Sequence, residues 1–222
     1  MIRTLAATTS LFALAACGSA QTPEPTSQAT TKTEVMQASA KPEARAEAIV
    51  AGGCFWCVEA DFEKLPGVVE AVSGYTGGQT IDPTYEEVTY SDTGHYEAVK
   101  IVYDPRVVTY EDLLDHYWTT VDPTDASGQF CDKGDSYRTA IFATLEQMEA
   151  AQASLEEVKA TKPFDDPIVT PVLVAQPFYD AEDYHQDYYK KNKIRYRFYR
   201  NGCGRDARLE RLWGDRAGKG LG

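Results

Sequence analysis

The sequence predicts an α/β (α+β) fold, a ferredoxin-like two-layer sandwich with a C-terminal wrap. Three observations carry this reading. Strand-like and helix-like segments follow one another in the order β, α, β, β, α, β, the order of a split βαβ unit. The 222 residues are 43% hydrophobic and 25% charged, which suits one buried core and excludes wholesale disorder or a collagen-like chain. No internal repeat or second domain interrupts the pattern after residue 46.

Each element has its own cause. Ala48-Ile49-Val50-Ala51-Gly52 is a short apolar strand ending at a glycine pair, after which Phe55, Val58, Phe62 and Leu65 recur at helical spacing. Pro66-Gly67 stops that helix, and Val68 to Tyr75 forms the second strand, so the turn of this βαβ unit carries Cys54. Thr76 to Thr84 is rich in Gly, Thr and Pro and reads as a loop. Val99, Ile101 and Tyr103 alternate as a third strand closed by Asp104-Pro105. Leu113, Leu114, Tyr117, Trp118 and Val121 give an amphipathic helix, and Tyr137 to Thr144 the next strand. A helix from Glu146 to Ala160, a strand from Val169 to Ala175 and an aromatic helix from Ala181 to Lys191 extend the layer.

The first 46 residues read as an address and a tether. Met1-Ile2-Arg3 is a positive start, and the uncharged stretch from Leu5 to Ala16 is too short to span a membrane stably, as in a secretory signal peptide (1–16). Leu14-Ala15-Ala16-Cys17 resembles the bacterial lipobox, which implies a lipid on Cys17; an ordinary signal cleaved elsewhere is the alternative. Residues 17–46 are rich in Thr, Ser, Ala, Glu and Gln, with almost nothing large and apolar to offset ordering entropy. The expected organisation is a disordered tether there and a catalytic domain at 47–222. Gly18-Ser19 after the cysteine resembles outer-membrane sorting, so the expected location is the bacterial cell envelope, facing the periplasm.

The net charge of −12 argues against a nucleic acid partner, which needs a basic face. That charge is uneven: Lys190 to Arg216 holds ten basic and three acidic residues, a net of +7. A basic tail on an acidic body suggests intramolecular docking. RNA binding by Arg195-Tyr196-Arg197-Phe198-Tyr199-Arg200 is the sharper alternative.

Apart from Cys17, the cysteines are Cys54, Cys57, Cys131 and Cys203. Two structural disulfides are one reading of four cysteines in an exported domain. Cys54 favours another, because it follows a glycine pair at a helix N-terminus, where free N–H groups and the helix dipole stabilise a thiolate. Phe55 and Trp56 beside it offer an apolar wall for a thioether-sized group, although for Phe55 alone ordinary core packing is the better account.

Taken together, Gly53-Cys54-Phe55-Trp56, Pro66-Gly67-Val68, Gly74-Tyr75-Thr76-Gly77-Gly78, Pro83-Thr84-Tyr85, Thr93-Gly94-His95-Tyr96-Glu97-Ala98-Val99, Tyr103-Asp104-Pro105, Asp122-Pro123, Asp132, Tyr137-Arg138 and Tyr184-His185-Gln186 resemble the A-type peptide methionine sulfoxide reductases in order and spacing. The resemblance runs from Val50 to Gly204. It implies the ferredoxin-like sandwich, selectivity for the S epimer of methionine sulfoxide in oxidised proteins or peptides, and recycling by a thioredoxin-like dithiol with no bound cofactor. It also places the acid at Glu97, oxygen-binding hydroxyls at Tyr85 and Tyr137, and a second acid at Asp132.

The residues support part of this independently. A sulfoxide is a poor electrophile until its oxygen is protonated, so the nucleophile needs an acid. Glu97 shares strand parity with Val99, Ile101 and Tyr103, which aims it at the apolar face, where burial raises a carboxyl pKa. Attack leaves Cys54 as a sulfenic acid, which a second thiol converts to a disulfide. Cys203, in the glycine-flanked Asn201-Gly202-Cys203-Gly204, is the expected resolving thiol on a mobile tail, as the resemblance implies. Cys57, where the common form has Gly, and Cys131, where Asn usually precedes the Asp, are the alternatives.

Two other enzymatic readings rest on the same side chains. A thioredoxin-like disulfide oxidoreductase would use Cys54 and Cys57 but leaves Glu97, Tyr85 and Tyr137 without a role. A Cys/His protease-like site needs an imidazole beside Cys54; of His95, His116 and His185 only His185 is placed for it. One C-x-x-C pair is too few for a Cys₄ zinc site, so no metal is expected. The chain is expected to be a monomer, and a non-catalytic lipoprotein is the remaining alternative.

Overall fold

The computed structural model describes residues 44–221. Elements follow in the order β1 (Ala46–Gly52), α1 (Phe55–Phe62), β2 (Val68–Thr76), α2 (Tyr85–Tyr90), β3 (Tyr96–Tyr103), α3 (Tyr110–Thr120), the short hairpin β4 (Gly128–Gln129) and β5 (Asp132–Lys133), β6 (Thr139–Ala143), α4 (Met148–Thr161), β7 (Val172–Val174), β8 (Tyr179–Asp180), α5 (Tyr188–Lys191), α6 (Lys193–Gly202) and α7 (Arg205–Trp213). A 3₁₀ turn at Asp135–Tyr137 leads into β6.

The sheet order is β7-β6-β1-β3-β2-β8. Its four central strands pair antiparallel, which is the split βαβ layer expected from the order of elements, and β7 adds in parallel at one edge. The pleat separates two sets of side chains. Val99, Ile101 and Tyr103 join Phe55, Val58, Phe62, Leu113, Leu114, Tyr117 and Trp118 in the main core, while Tyr96 and Ala98 pack with Ala51, Ala140 and Phe142 on the other face. Thr109 and Asp112 form a capping box that starts α3, and Thr84 and Glu87 form one that starts α2. Each box satisfies amide donors that would otherwise lack partners.

The aromatic helix expected at Ala181 to Lys191 is replaced. β8 (Tyr179–Asp180), which pairs with Gly74 and Tyr75 of β2, ends just before this segment, residues 183–187 form turns, and only Tyr188–Lys191 is helical. Gln186 is the reason: its side chain accepts from Ser73 N–H and donates to Ser73 O, holding the segment on the sheet edge. Asp187 then adopts φ +54, which interrupts any helix. The strand expected at Val169 to Ala175 shortens to Val172–Val174, and the one expected from Tyr137 begins at Thr139. The helix expected from Glu146 begins at Met148.

The glycine-flanked tail around Cys203 is also a correction. Cys203 caps α6, and Gly204 at φ +68 turns the chain directly into α7. Arg205, Leu209, Leu212 and Trp213 of α7 are buried. The basic segment docks on acidic partners as its charge suggests: Lys190 on Glu63, Arg200 on Asp61, Arg208 on Asp122.

Candidate active site

The turn from β1 to α1 builds the centre. Gly53 has φ +81, and a Cβ there would lie 2.5 Å from Gln129 Cβ, so this close turn admits only glycine. It delivers Cys54 as the residue that caps α1, with the Cys57 amide donating to Cys54 O at 3.0 Å. Both cysteines are free thiols; Cys54 is 6% exposed and Cys57 2%.

Glu97 comes from β3, opposite Tyr75 in the ladder, and points where its strand parity predicts. It is 2% exposed and accepts the Phe55 amide at 3.0 Å. Burial pushes its pKa up to about 8; the Phe55 N–H opposes this and the charges of Asp132 and Cys57 add to it. The carboxyl is therefore largely protonated at neutral pH and able to give a proton. Tyr137, at the end of the 3₁₀ turn, is in side-chain contact with both Glu97 and Tyr85. Burial raises both tyrosine pKa values, so each keeps its O–H.

Glu182 fixes one of these hydroxyl-bearing residues. Its carboxylate accepts from Tyr85 N–H and from Tyr75 O–H, both at 2.9 Å. Asp132 on β5 accepts a hydrogen bond from Tyr199, and burial pushes its carboxyl up. Trp56 stacks on Tyr188 with ring centroids 3.7 Å apart, meets Tyr199 edge-on, and donates Nε1–H to His185 Nδ1 at 3.1 Å. It borders an open groove of about 460 Å³ shared with Tyr188, Ile194, Arg195, Phe198 and Tyr199. Phe55 is 1% exposed and packs inward against Tyr75 and His185, so it closes the inner end while Trp56 faces the opening.

The thiols depart from expectation. Burial pushes the Cys54 thiol well up against the helix N-terminus, and the neighbouring Cys57 and Glu97 push it further. The Cys57 thiol is held down to about 7 by a hydrogen bond from Cys54 and, against its burial, by Arg205 and Arg200. Cys131 and Cys203 form a disulfide with Cα atoms 4.8 Å apart. Cys54 and Cys57 are free here, so among the described cysteines one disulfide stands where two were the alternative reading. His185 uses Nδ1 to hold Trp56 rather than a thiol, which removes the protease-like arrangement. His116 packs on Phe62 with Nε2 at 3.2 Å from Asp61 O, and His95 Nε2 lies 2.8 Å from Thr80 O.

Comparison with known proteins agrees with this geometry. The sequence model described as peptide methionine sulfoxide reductase matches residues 46–217. The chain belongs to the peptide methionine sulfoxide reductase family. It is 53% identical over 174 residues to peptide methionine sulfoxide reductase MsrA 2 of Rhizobium meliloti, covering 78% of this chain and 86% of the relative. To MsrA of Bacillus subtilis it is 52% identical over 168 residues, 75% of this chain and 95% of the relative. Methionine sulfoxide reductase A of Corynebacterium diphtheriae is similar in structure, with a TM-score of 0.64 and 34% identity over 69% of this chain and 77% of that one. Mxr1 of Saccharomyces cerevisiae in reduced form gives a TM-score of 0.64 and 30% identity, over 69% and 88% of the two chains.

This peptide methionine sulfoxide reductase is an oxidoreductase that reduces methionine sulfoxide through thiol chemistry. The fold brings Cys54, Phe55, Trp56, Tyr85, Glu97, Asp132 and Tyr137 into one neighbourhood, with Cys57 behind Cys54 and the Cys131–Cys203 disulfide beside Asp132. Sequence reasoning passed over α2, which seats Tyr85, and over Tyr199, Glu182 and Arg205. Arg205 is 2% exposed and donates to Gly52 O at 3.1 Å and Thr120 O at 2.8 Å, under the turn that carries Cys54. The capping box Thr84-x-x-Glu87 was the available signal for α2. Tyr199 and Arg205 gave none beyond the basic, aromatic tail.

Proposed function

We propose that this enzyme reduces the S epimer of methionine sulfoxide in exported proteins and peptides, with Cys54 as nucleophile and Glu97 as acid. The observation that carries this is the buried, protonated Glu97 held over the Cys54 turn by the Phe55 N–H, beside the hydroxyls of Tyr85 and Tyr137. The sulfoxide oxygen would sit among these three donors. Their hydrogen bonds and the Glu97 proton draw charge from sulfur, which the Cys54 sulfur attacks. Oxygen ends on Cys54 as a sulfenic acid and methionine leaves. Trp56 and the inner Phe55 supply the apolar wall, and Asp132, through Tyr199, orders the other side.

A second thiol converts the sulfenic acid to a disulfide, and Cys203 with Cys131 forms the pair from which a thioredoxin-like dithiol restores the enzyme. The chemistry proceeds on thiols, a carboxyl and hydroxyls, so no prosthetic group is called for, and a monomer suffices. The experiment is turnover of separated S and R epimers of a methionine sulfoxide peptide with dithiothreitol. Turnover of S alone is expected; equal turnover of both refutes the epimer assignment. A disulfide oxidoreductase working through Cys54 and Cys57 is not favoured by the family match.

Residues 1–43 of the N-terminal reading lie outside the described residues, and Ala46, its expected last tether residue, already opens β1. We propose a signal peptide at 1–16, a lipid-bearing Cys17, a tether over 17–46 and the catalytic domain at 47–222, on the periplasmic side of the cell envelope. Mass spectrometry of the mature N-terminus decides it: a diacylated or triacylated Cys17 is expected, and an unmodified N-terminus refutes the anchor.

A further inference from the structure

We propose that the outward face of α6 docks the polypeptide on either side of the methionine sulfoxide, and that it selects oxidised segments carrying an apolar and an acidic side chain close to that residue. This names a substrate class for the site described above and rests on the reading of Cys54 as nucleophile.

The basic, aromatic run of α6 divides into two faces. Tyr196 and Arg200 turn inward: Arg200 pairs with Asp61 and Asp206 and donates to the Tyr196 hydroxyl at 3.0 Å. Ile194 and Phe198, four residues apart and so neighbours on one helix face, are left outward at 87% and 81% exposure. They adjoin the stacked rings of Trp56 and Tyr188 across the groove of about 460 Å³, so the apolar surface is continuous. A contiguous apolar patch of this kind marks a contact surface, where single exposed side chains do not.

Where the groove leads decides its occupant. Trp56 follows Cys54 by two residues, and Tyr199, which meets Trp56 edge-on, has its hydroxyl in contact with both Cys54 and Asp132. The inner wall of the groove is therefore the mouth of the reaction site. A chain whose sulfoxide sulfur lies at Cys54 must lay its neighbouring residues along this mouth. The spacing suits an extended segment: Ile194 and Phe198 are about 6 Å apart along the helix axis, close to the roughly 6.7 Å between alternate side chains of a strand.

Charge refines the choice. None of the side chains lining the groove is acidic. Arg195 stands on its rim, exposed and without an ion pair among the described residues, and Lys193 and Arg197 on the same helix are exposed too. An aspartate or glutamate near the sulfoxide meets this uncompensated positive field, whereas a lysine is repelled.

The test uses the full-length enzyme with dithiothreitol and the S epimer throughout. Its substrates are N-acetylmethionine sulfoxide methylamide and three seven-residue peptides with a central sulfoxide, flanked by leucine and aspartate, by glycine alone, or by leucine and lysine. In wild type, kcat/KM on the leucine and aspartate peptide is expected to exceed that on the glycine peptide by at least about tenfold. The double variant Ile194→Ser/Phe198→Ser should erase that advantage, mostly through KM, and leave the methylamide rate unchanged. Arg195→Glu should reverse the order of the aspartate and lysine peptides. All three positions are exposed, and circular dichroism checks that the variants stay folded. Equal kcat/KM for the leucine and aspartate peptide and the glycine peptide in wild type overturns the inference and leaves the Cys54 reading intact, whereas no turnover of any substrate refutes that reading itself. An equal fall on methylamide and peptides shows a structural effect and also overturns the inference. So does a loss that appears only when thioredoxin replaces dithiothreitol, which assigns this face to the reductant.

Discussion

Glu97→Gln separates the acid from the architecture. The amide keeps the shape and still accepts the Phe55 N–H, so the α1 turn should survive, but it has no proton to give. General acid catalysis is worth roughly 10²–10⁴-fold, and the single-turnover rate of methionine release should fall by that order. Stability gives an independent magnitude. The carboxyl's ordinary pKa is 4.5, and burial pushes it up to about 8. Between those values the unfolded chain has lost the proton that the native state keeps, so the unfolding free energy declines by about 1.36 kcal/mol per pH unit. The contribution is complete below 4.5, shrinks as pH rises and is gone above about 8, a ceiling of about 5 kcal/mol across the window. Glu97→Gln removes this slope, because glutamine does not titrate. Urea unfolding of both proteins at pH 5, 7 and 9 measures it: the variant should gain on wild type as pH rises. Parallel stability profiles, or an unaltered single-turnover rate, would show that Glu97 is neither the buried acid nor the proton donor.

The remaining predictions concern the groups around it. Cys54→Ser should abolish turnover while circular dichroism stays native, since a hydroxyl is a far weaker nucleophile in the same space; measurable turnover contradicts the mechanism. Trp56→Ala removes the stacking on Tyr188 and the wall of the opening, side-chain burial worth about 1.5–3 kcal/mol, so kcat/KM should fall about 10–100-fold, mostly through KM. A loss confined to kcat argues against a binding role for the indole. Arg205→Met leaves Gly52 O and Thr120 O without their donor and should lower stability by about 3 kcal/mol by denaturant titration. The same variant should raise the pH at which Cys57 ionises, read by thiolate ultraviolet absorbance in a Cys54→Ser background; no change removes the guanidinium from the thiol's environment.

The central strands and α1 were legible in the sequence because local pattern and tertiary need agree there. The glycine pair, the apolar period of α1 and the parity of β3 each specify one conformation, and together they aim Cys54 and Glu97 at the same space. The C-terminal third was less legible. An aromatic, basic run fits an amphipathic helix as well as a docked strap. What divides Ala181 to Lys191 is Gln186 satisfying the backbone of Ser73, more than a hundred residues earlier in the chain.

By itself the sequence determined the layer order, the reactive turn and the family, since these rest on short-range spacing and on motifs whose order survives along the chain. The tertiary structure decided what surrounds each thiol and which cysteines pair. A helix N-terminus favours a thiolate at Cys54, yet burial pushes that thiol up, while a hydrogen bond from Cys54 and the guanidinium of Arg205, brought under the β1–α1 turn from α7, push the Cys57 thiol down. Cys131 meets Cys203 across 72 residues because β5 and α6 converge beside Asp132. Ionisation and pairing are set by whatever the fold places within a few ångströms, and that proximity is not written in the spacing of the residues concerned.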